Sequence, residues 1–275
     1  MAGTLYVVAT PLGNLGDLSP RAADTLKRVA VVAAEDTRHS KPLLHHAGSH
    51  AELISFHEHS SDRALERILR ILTDGRDVAL ITDAGTPVIS DPGVALVAAA
   101  RGRGIQVVTI PGPNAVAASV SVSGISGDRY LFLGFLPRKG SDRRRFLLTA
   151  AQSEWTVVLF EAPNRVTQLL ADLVEVCGPE RQAAVSRELT KVFEETRAGT
   201  LQELSEHYAE APVRGEVTVV LSGTGKEHVE ERPPDPGERA KALLAEGMSR
   251  KDVADRLVEE TGISRNSAYR LVNEL

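Results

Sequence analysis

Apolar residues along this chain fall into two alternating rhythms, short β-type runs and longer stretches at helical spacing. Leu5-Tyr-Val-Val-Ala9, Val29-Ala-Val-Val-Ala-Ala34, Asp77-Val-Ala-Leu-Ile-Thr82 and Ile105-Gln-Val-Val-Thr-Ile110 read as buried strands. Between them, Ser19-Pro20 reads as an N-cap with proline in the first turn, opening a helix over Arg21 to Val29. Leu65, Ile68, Leu69 and Leu72 share one helix face over Asp62 to Leu72, and Asp91-Pro-Gly reads as a cap before a helix from Val94 to Arg101. The β-α-β-α-β-α-β alternation predicts a largely parallel sheet with right-handed crossovers.

The second half repeats the theme. Tyr130 to Phe135, Trp155 to Phe160, Gln182 to Ser186 and Glu216 to Leu221 read as strands, with a helix over Val166 to Val176. The Ser-, Gly- and Ala-rich stretch from Ala117 to Asp128 is expected to be a hinge. Lys226 to Gly237, with Pro233, Pro234 and Pro236, is expected to be a linker, and Glu238 to Leu275 reads as three short helices of helix-turn-helix character. The expected division is an N-terminal α/β domain over 1–116, a second over 117–225, a linker over 226–237 and an all-α unit over 238–275.

Composition narrows the classes. The 275 residues are 42% hydrophobic and 25% charged, as in ordinary globular proteins, with a formal net charge of −5. Overall acidity argues against a wholly basic nucleic-acid coat but leaves room for a local patch. The single Cys177 excludes an intrachain disulfide and fits a reducing compartment. No leader pattern and no apolar run of membrane-spanning length is read, so the expectation is a soluble, cytoplasmic protein. His57 and His59 would share a strand face, but their spacing fits no closed metal site, and none is expected.

Four of five short polar motifs directly follow a strand-like run. The five are Thr10-Pro-Leu-Gly-Asn14, Glu35-Asp-Thr-Arg38, Thr82-Asp-Ala-Gly-Thr-Pro87, Pro111-Gly-Pro-Asn-Ala115 and Glu161-Ala-Pro-Asn-Arg165. Such loops at the carboxyl ends of a sheet are where open α/β folds bind ligands. Neither a dinucleotide fingerprint nor a phosphate loop is present, which points to a nucleotide-like ligand without a pyrophosphate. Asp83 and Thr86 bracket a turn that could offer an acid or a hydroxyl to such a ligand, or simply cap the turn. Asn114 and Ala115 open a helix whose free N–H groups point outward. Arg138-Lys-Gly-Ser-Asp-Arg-Arg-Arg145 packs five basic residues into eight positions, either a phosphate-backbone contact or a solvated helix start. Arg38, Arg165 and Arg187 add guanidinium forks suited to phosphate. Glu194-Glu195 reads as a solvated helix face. The C-terminal unit balances seven Lys or Arg against seven Asp or Glu, which weakens a DNA-reading role.

Taken together, Thr10 to Ser19, Ala34 to Arg38, Asp83-Ala-Gly-Thr-Pro-Val-Ile-Ser-Asp-Pro-Gly93, Pro111 to Ala115, Gly134-Phe-Leu-Pro-Arg138, Glu161 to Arg165 and Arg187-Glu-Leu-Thr-Lys191 resemble the tetrapyrrole-methylase-fold methyltransferases. Within that fold they resemble the small-subunit ribosomal RNA 2′-O-ribose methyltransferases. The resemblance implies two α/β domains with S-adenosylmethionine in the cleft between them. It implies a homodimer acting on a cytidine ribose in the decoding region of 16S rRNA, free or within the 30S subunit.

Carried over by motif, Leu12, Asp83, Gly85, Thr86, Pro87, Ile89, Asn114, Ala115 and Phe160 should line the cofactor pocket. Glu35, Glu161, Glu188 and Lys191 are the candidates for proton transfer, and Arg38, Arg138, Lys139, Arg143, Arg144, Arg165 and Arg187 for gripping RNA. The family often has His where this chain has Asn164, which removes one base. Two other readings compete, a methyltransferase acting on a corrin-type tetrapyrrole and a ligand-sensing DNA-binding regulator.

Overall fold

In a computed structural model the chain is described at residues 2–57, 61–210, 213–224, 236–261 and 263–274. It divides into two compact units, 1–224 and 225–275.

The first unit holds two five-stranded sheets. The first sheet uses β1 (Thr4–Val8), β2 (Val31–Ala34), β3 (Glu52–Ser55), β4 (Val78–Ile81) and β5 (Gln106–Ile110). All pairs are parallel, in the order β3-β2-β4-β1-β5. Every residue of β2 and of β4 is buried, as expected where helices cover both faces of a parallel sheet. Those helices are α1 (Pro20–Arg28), α2 (Thr37–Ala47), α3 (Asp62–Thr73) and α4 (Val94–Gly102). Ser19 caps α1 by accepting from Ala22 N, and Ile68, Leu69 and Leu72 of α3 are fully buried.

Helix α5 (Ala115–Val122) leads out of this sheet. The stretch expected as a hinge is thus partly helical: Val116 and Val120 of α5, with Ile125, pack on Val158, Ala184 and Val220 of the second sheet.

The second sheet contains β6 (Tyr130–Phe135), β7 (Thr156–Glu161), β8 (Gln182–Arg187), β9 (Glu195–Thr200) and β10 (Val217–Leu221), with α6 (Ser141–Gln152), α7 (Val166–Cys177) and α8 (Leu201–Glu210) between strands. Its order is β6-β7-β10-β8-β9, with β6 and β7 parallel and the other pairs antiparallel. Helix α7 buries Val166, Leu169, Leu170 and Leu173, one face at helical spacing, and each such Leu contributes about 1.5–3 kcal/mol. Glu195 opens strand β9 rather than lying on a solvated helix face.

In the second unit, α9 (Pro236–Ala245), α10 (Arg250–Thr261) and α11 (Arg265–Glu274) enclose a core of Ala240, Leu243, Val253, Ala254, Leu257, Ala268 and Val272. The expected linker lies outside the described residues, apart from Pro236 and Gly237, which begin α9. His59 also lies outside them, and His57 follows β3 instead of sitting in a strand. Among the described residues no helix is long and apolar enough to cross a membrane.

Candidate active site

Three neighbouring strands of the first sheet, β4, β1 and β5, send their carboxyl-end loops to one place. The loops after β1 and β4 clamp each other: Thr10 N donates to Gly85 O at 2.8 Å and Gly85 N to Thr10 O at 3.1 Å. Thr10 Oγ1 adds a bond to Thr82 O at 3.1 Å. Gly85 needs its φ of +82°, and a Cβ there would stand 3.3 Å from Leu12 Cδ2. The loop after β5 joins through Thr86 Oγ1, which donates to Pro113 O at 3.2 Å. Asn114 Oδ1 accepts from Val116 N and Ala117 N, fixing the start of α5.

Against these loops stand β7 and β10, whose residues Glu161 and Phe160 pair with Val217 and Thr218. Together they enclose a cavity of about 310 Å³. Leu12, Gly85, Thr86, Ile89, Asn114, Ala115 and Phe160 line it, as does Glu161. Asp83 and Pro87, named with them from sequence, do not: Asp83 Oδ1 accepts from Asp36 N at 3.3 Å, and Pro87 is buried behind the turn.

The 84–93 loop is held under strain. Val88 and Ser90 have φ of 79° and 61°, a region costly for side-chain-bearing residues and worst for a β-branched one. This loop supplies Asp91, which sequence reading treated as a helix cap. Gly93, not Asp91, is the N-cap of α4, and Asp91 lines the cavity. Burial pushes its carboxyl up to about 6, with Glu35, Asp83 and Glu216 adding negative charge while a hydrogen bond with Thr82 opposes the rise. Glu216 also lines the cavity and was missed, as was Phe135. Asp91 and Phe135 lay inside quoted motifs, but strand-end position alone did not separate wall from scaffold.

Glu161 has a side chain with no solvent exposure. Its Oε1 accepts from Ala162 N and lies 3.2 Å from Arg165 Nε, while Oε2 has no hydrogen-bond partner and sits 4.0 Å from Arg143 Nη1. Burial holds its proton affinity above the usual carboxylate range, against the pull of Arg165 and Arg143.

The other candidates for proton transfer are arranged differently. Glu35 Oε2 accepts from Thr82 Oγ1 at 3.3 Å. Lys191 Nζ bonds Glu188 Oε1 at 2.9 Å and lies 4.0 Å from Glu216. Glu188 and Thr190 carry φ of 50° and 66°, and the stem of Lys191 occupies the space a Cβ on Gly13 would fill. Asn164 is exposed and off the cavity wall.

The basic run splits by helical phase. Arg143 falls on the core face of α6 with Leu147 and Ala150. It is 8% exposed and bonds Asp172 Oδ2 through Nε at 2.9 Å and Nη2 at 2.6 Å. It is therefore a buried tie between α6 and α7 and does not face RNA, which corrects the expectation from sequence. Arg138, Lys139, Arg144 and Arg145 are exposed. Arg38, with 87% of its side chain exposed, rests on Asp36, and Arg187 on Glu195. Arg165 also donates to Leu136 O at 2.8 Å. Among the described residues no group of three or more His, Cys, Asp or Glu could hold a metal ion.

The sequence profile of the Tetrapyrrole (Corrin/Porphyrin) Methylases matches residues 4–205. The protein named ribosomal RNA small subunit methyltransferase I of Xylella fastidiosa is 44% identical over 269 residues, covering 97% of this chain and 98% of its own. Its namesake from a Synechocystis species is 42% identical over 277 residues, covering 99% and 98%. Among solved structures, the methyltransferase CobJ aligns at TM-score 0.63 with 16% identity over 83% of this chain and 97% of its own. Uroporphyrin-III C-methyltransferase from Thermus thermophilus, complexed with S-adenyl homocysteine, aligns at 0.57 with 19% identity over 80% and 97%. At such identities the structures establish the fold alone. The chain belongs to the tetrapyrrole (corrin/porphyrin) methylase family, is a methyltransferase, and stands among the relatives named ribosomal RNA small subunit methyltransferase I.

Proposed function

We propose that this chain uses S-adenosylmethionine to methylate the ribose 2′-hydroxyl of a cytidine in the decoding region of 16S rRNA, acting in the cytoplasm as a homodimer on the 30S subunit. The observation that carries the reading is the cavity of about 310 Å³ between loops of one sheet and strands of the other, in a chain near-identical in extent to relatives named for small-subunit rRNA.

The wall fits the cofactor. Leu12, Ile89, Ala115 and Phe160 give it apolar faces for a purine, and Asp91 and Glu216 give it carboxylates for ribose hydroxyls and for positive charge. When bound, S-adenosylmethionine supplies a methyl group made electrophilic by its sulfonium. The residues of the chain do the rest by holding and orienting. The Thr10–Gly85 clamp and the capped start of α5 fix the wall before anything binds, and such positioning can contribute several kcal/mol.

A ribose hydroxyl is a weak nucleophile and needs a proton acceptor within reach. We assign that role to Asp91, whose proton affinity near pH 6 lies close to working pH. Glu161, also on the wall, orients Arg165. Glu35 and Asp91 both face Thr82, whose one hydroxyl proton bonds one carboxylate or the other, and Lys191 with Glu188 braces the loop over Gly13. Arg38, Arg138, Lys139 and Arg144 meet RNA phosphates, with Arg165 and Arg187 shaping the ground beneath them.

The test is tritiated S-adenosylmethionine with 30S particles from a strain lacking the enzyme, followed by mapping of the label. Label resistant to base hydrolysis at one cytidine is expected. Label on a base, or only on a tetrapyrrole offered in parallel, refutes the reading.

A further inference from the structure

Strand β6 carries an irregularity that selects one side chain. Leu131 and Phe132 pair with Val157 and Val158, yet Gly134 and Phe135 pair with Leu159 and Phe160. Leu133 is therefore an extra residue, a β-bulge, with Gly134 at φ +63° completing it. In an unbroken strand Phe132 and Phe135, three residues apart, would point to opposite faces. The bulge puts Phe135 on the face of Phe132, beside every second residue of β7.

Three rings result: Phe132 meets Phe160 edge-on at 4.8 Å, and Phe135 tilts onto Phe160 at 5.5 Å. The bulge runs close against the strained loop that carries Asp91, since a Cβ on Gly134 would stand 3.0 Å from Ser90 Oγ. Phe135 lines the cavity and is 54% exposed, whereas Phe160 beneath it is half-buried. Large aromatic faces left half in water at a site, on a rigid support, call for a flat partner. The cavity of about 310 Å³ is at the small end of ligand pockets, about 300–1,000 Å³, so one small molecule fills it and a second reactant must lie at its rim.

We propose that Phe135 is the platform on which the base of the acceptor nucleotide stacks, so that its ribose faces Asp91. This rests on the rRNA reading above. Single-stranded bases are commonly held this way, and the platform orients the nucleotide without reading its edges.

The experiment measures steady-state methylation of 30S particles and calorimetric binding of S-adenosylmethionine for wild type, Phe135→Ala and Phe135→Tyr. Loss of a stacking partner predicts a rise of about 5- to 150-fold in KM for the 30S substrate, or an equivalent fall in kcat/KM. Phe135→Tyr, which keeps the ring, should stay within about threefold of wild type, and in Phe135→Ala cofactor affinity should fall far less than kcat/KM for the 30S substrate. An Ala variant equal to wild type overturns the proposal, and so does an Ala variant whose cofactor affinity falls in step with activity, since that seats the purine of the cofactor there instead. Wild type that labels no rRNA would overturn the functional reading itself, a separate outcome from either.

Discussion

Replacing Arg143 with Met tests whether the basic run contributes a surface or a scaffold. Met keeps much of the apolar stem and removes the guanidinium. Three hydrogen bonds disappear, two to Asp172 Oδ2 at 2.9 and 2.6 Å and one to Pro137 O at 3.1 Å. Two carboxylates lose a cation: Asp172, with 19% side-chain exposure, and the wholly buried Glu161 at 4.0 Å. Breaking a buried pair from one side costs about 3–5 kcal/mol. Asp172 keeps the bond from Gln168 Nε2 at 2.7 Å and some water, so the low end applies, about 3 kcal/mol. Guanidinium unfolding followed by circular dichroism should show this as a lower midpoint at unchanged slope. Adding Asp172→Asn should recover part of the loss, because it removes one stranded charge, and the double-mutant cycle should give a coupling of about 0.5–3 kcal/mol. RNA affinity of the folded Arg143→Met protein should match wild type. A stability change under about 1 kcal/mol together with a weakened RNA complex would refute the assignment of Arg143 to the interior.

Three further outcomes are expected. Asp91 binds its proton more tightly folded than unfolded, so its stabilising contribution is complete below the reference 3.8 and is lost as pH rises to about 6; Asp91→Asn should flatten the unfolding midpoint over that window and abolish the rise of kcat/KM through about pH 6. Gly134→Ala, at φ +63°, should cost about 1–2 kcal/mol in thermal unfolding and raise KM for 30S particles as Phe135→Ala does; wild-type behaviour in both would mean the bulge does not aim the ring. Arg38→Ala should weaken RNA binding and lower its salt dependence while leaving S-adenosylmethionine affinity intact in calorimetry, and equal loss of both would count against a phosphate contact.

Most of the first sheet was legible because β2 and β4 are short and fully apolar, and β1 and β5 are mostly apolar and run into Pro11 and Pro111. β3 escaped because it is an edge strand with Ile54 alone buried, and β9, Glu195-Thr-Arg-Ala-Gly-Thr200, escaped because a polar edge needs no apolar signature. Helix α2 escaped because Pro42 and three histidines, His39, His45 and His46, dilute its apolar pattern. Within the site, strand-end motifs pointed to the cavity, but not to which side chains face it. Asp83 and Asp91 occupy similar turns in sequence, yet Asp91, which follows the left-handed residues Val88 and Ser90, lines the cavity and Asp83 does not. The five basic residues of 138–145 look alike until the helix phase of α6 sends Arg143 to the core. The bulge in β6 has no periodic signal, because one extra residue in six is invisible to pattern counting.

The cavity wall formed by Phe160, Glu161, Val217 and Thr218 belongs to β7 and β10, interior strands of their sheet and bonded to neighbours on both sides. Interior strands open to hydrogen exchange only when a whole domain comes apart. This half of the catalytic surface cannot fray on its own, so any turnover lost before ellipticity on a temperature ramp must be lost in the loops of the facing sheet.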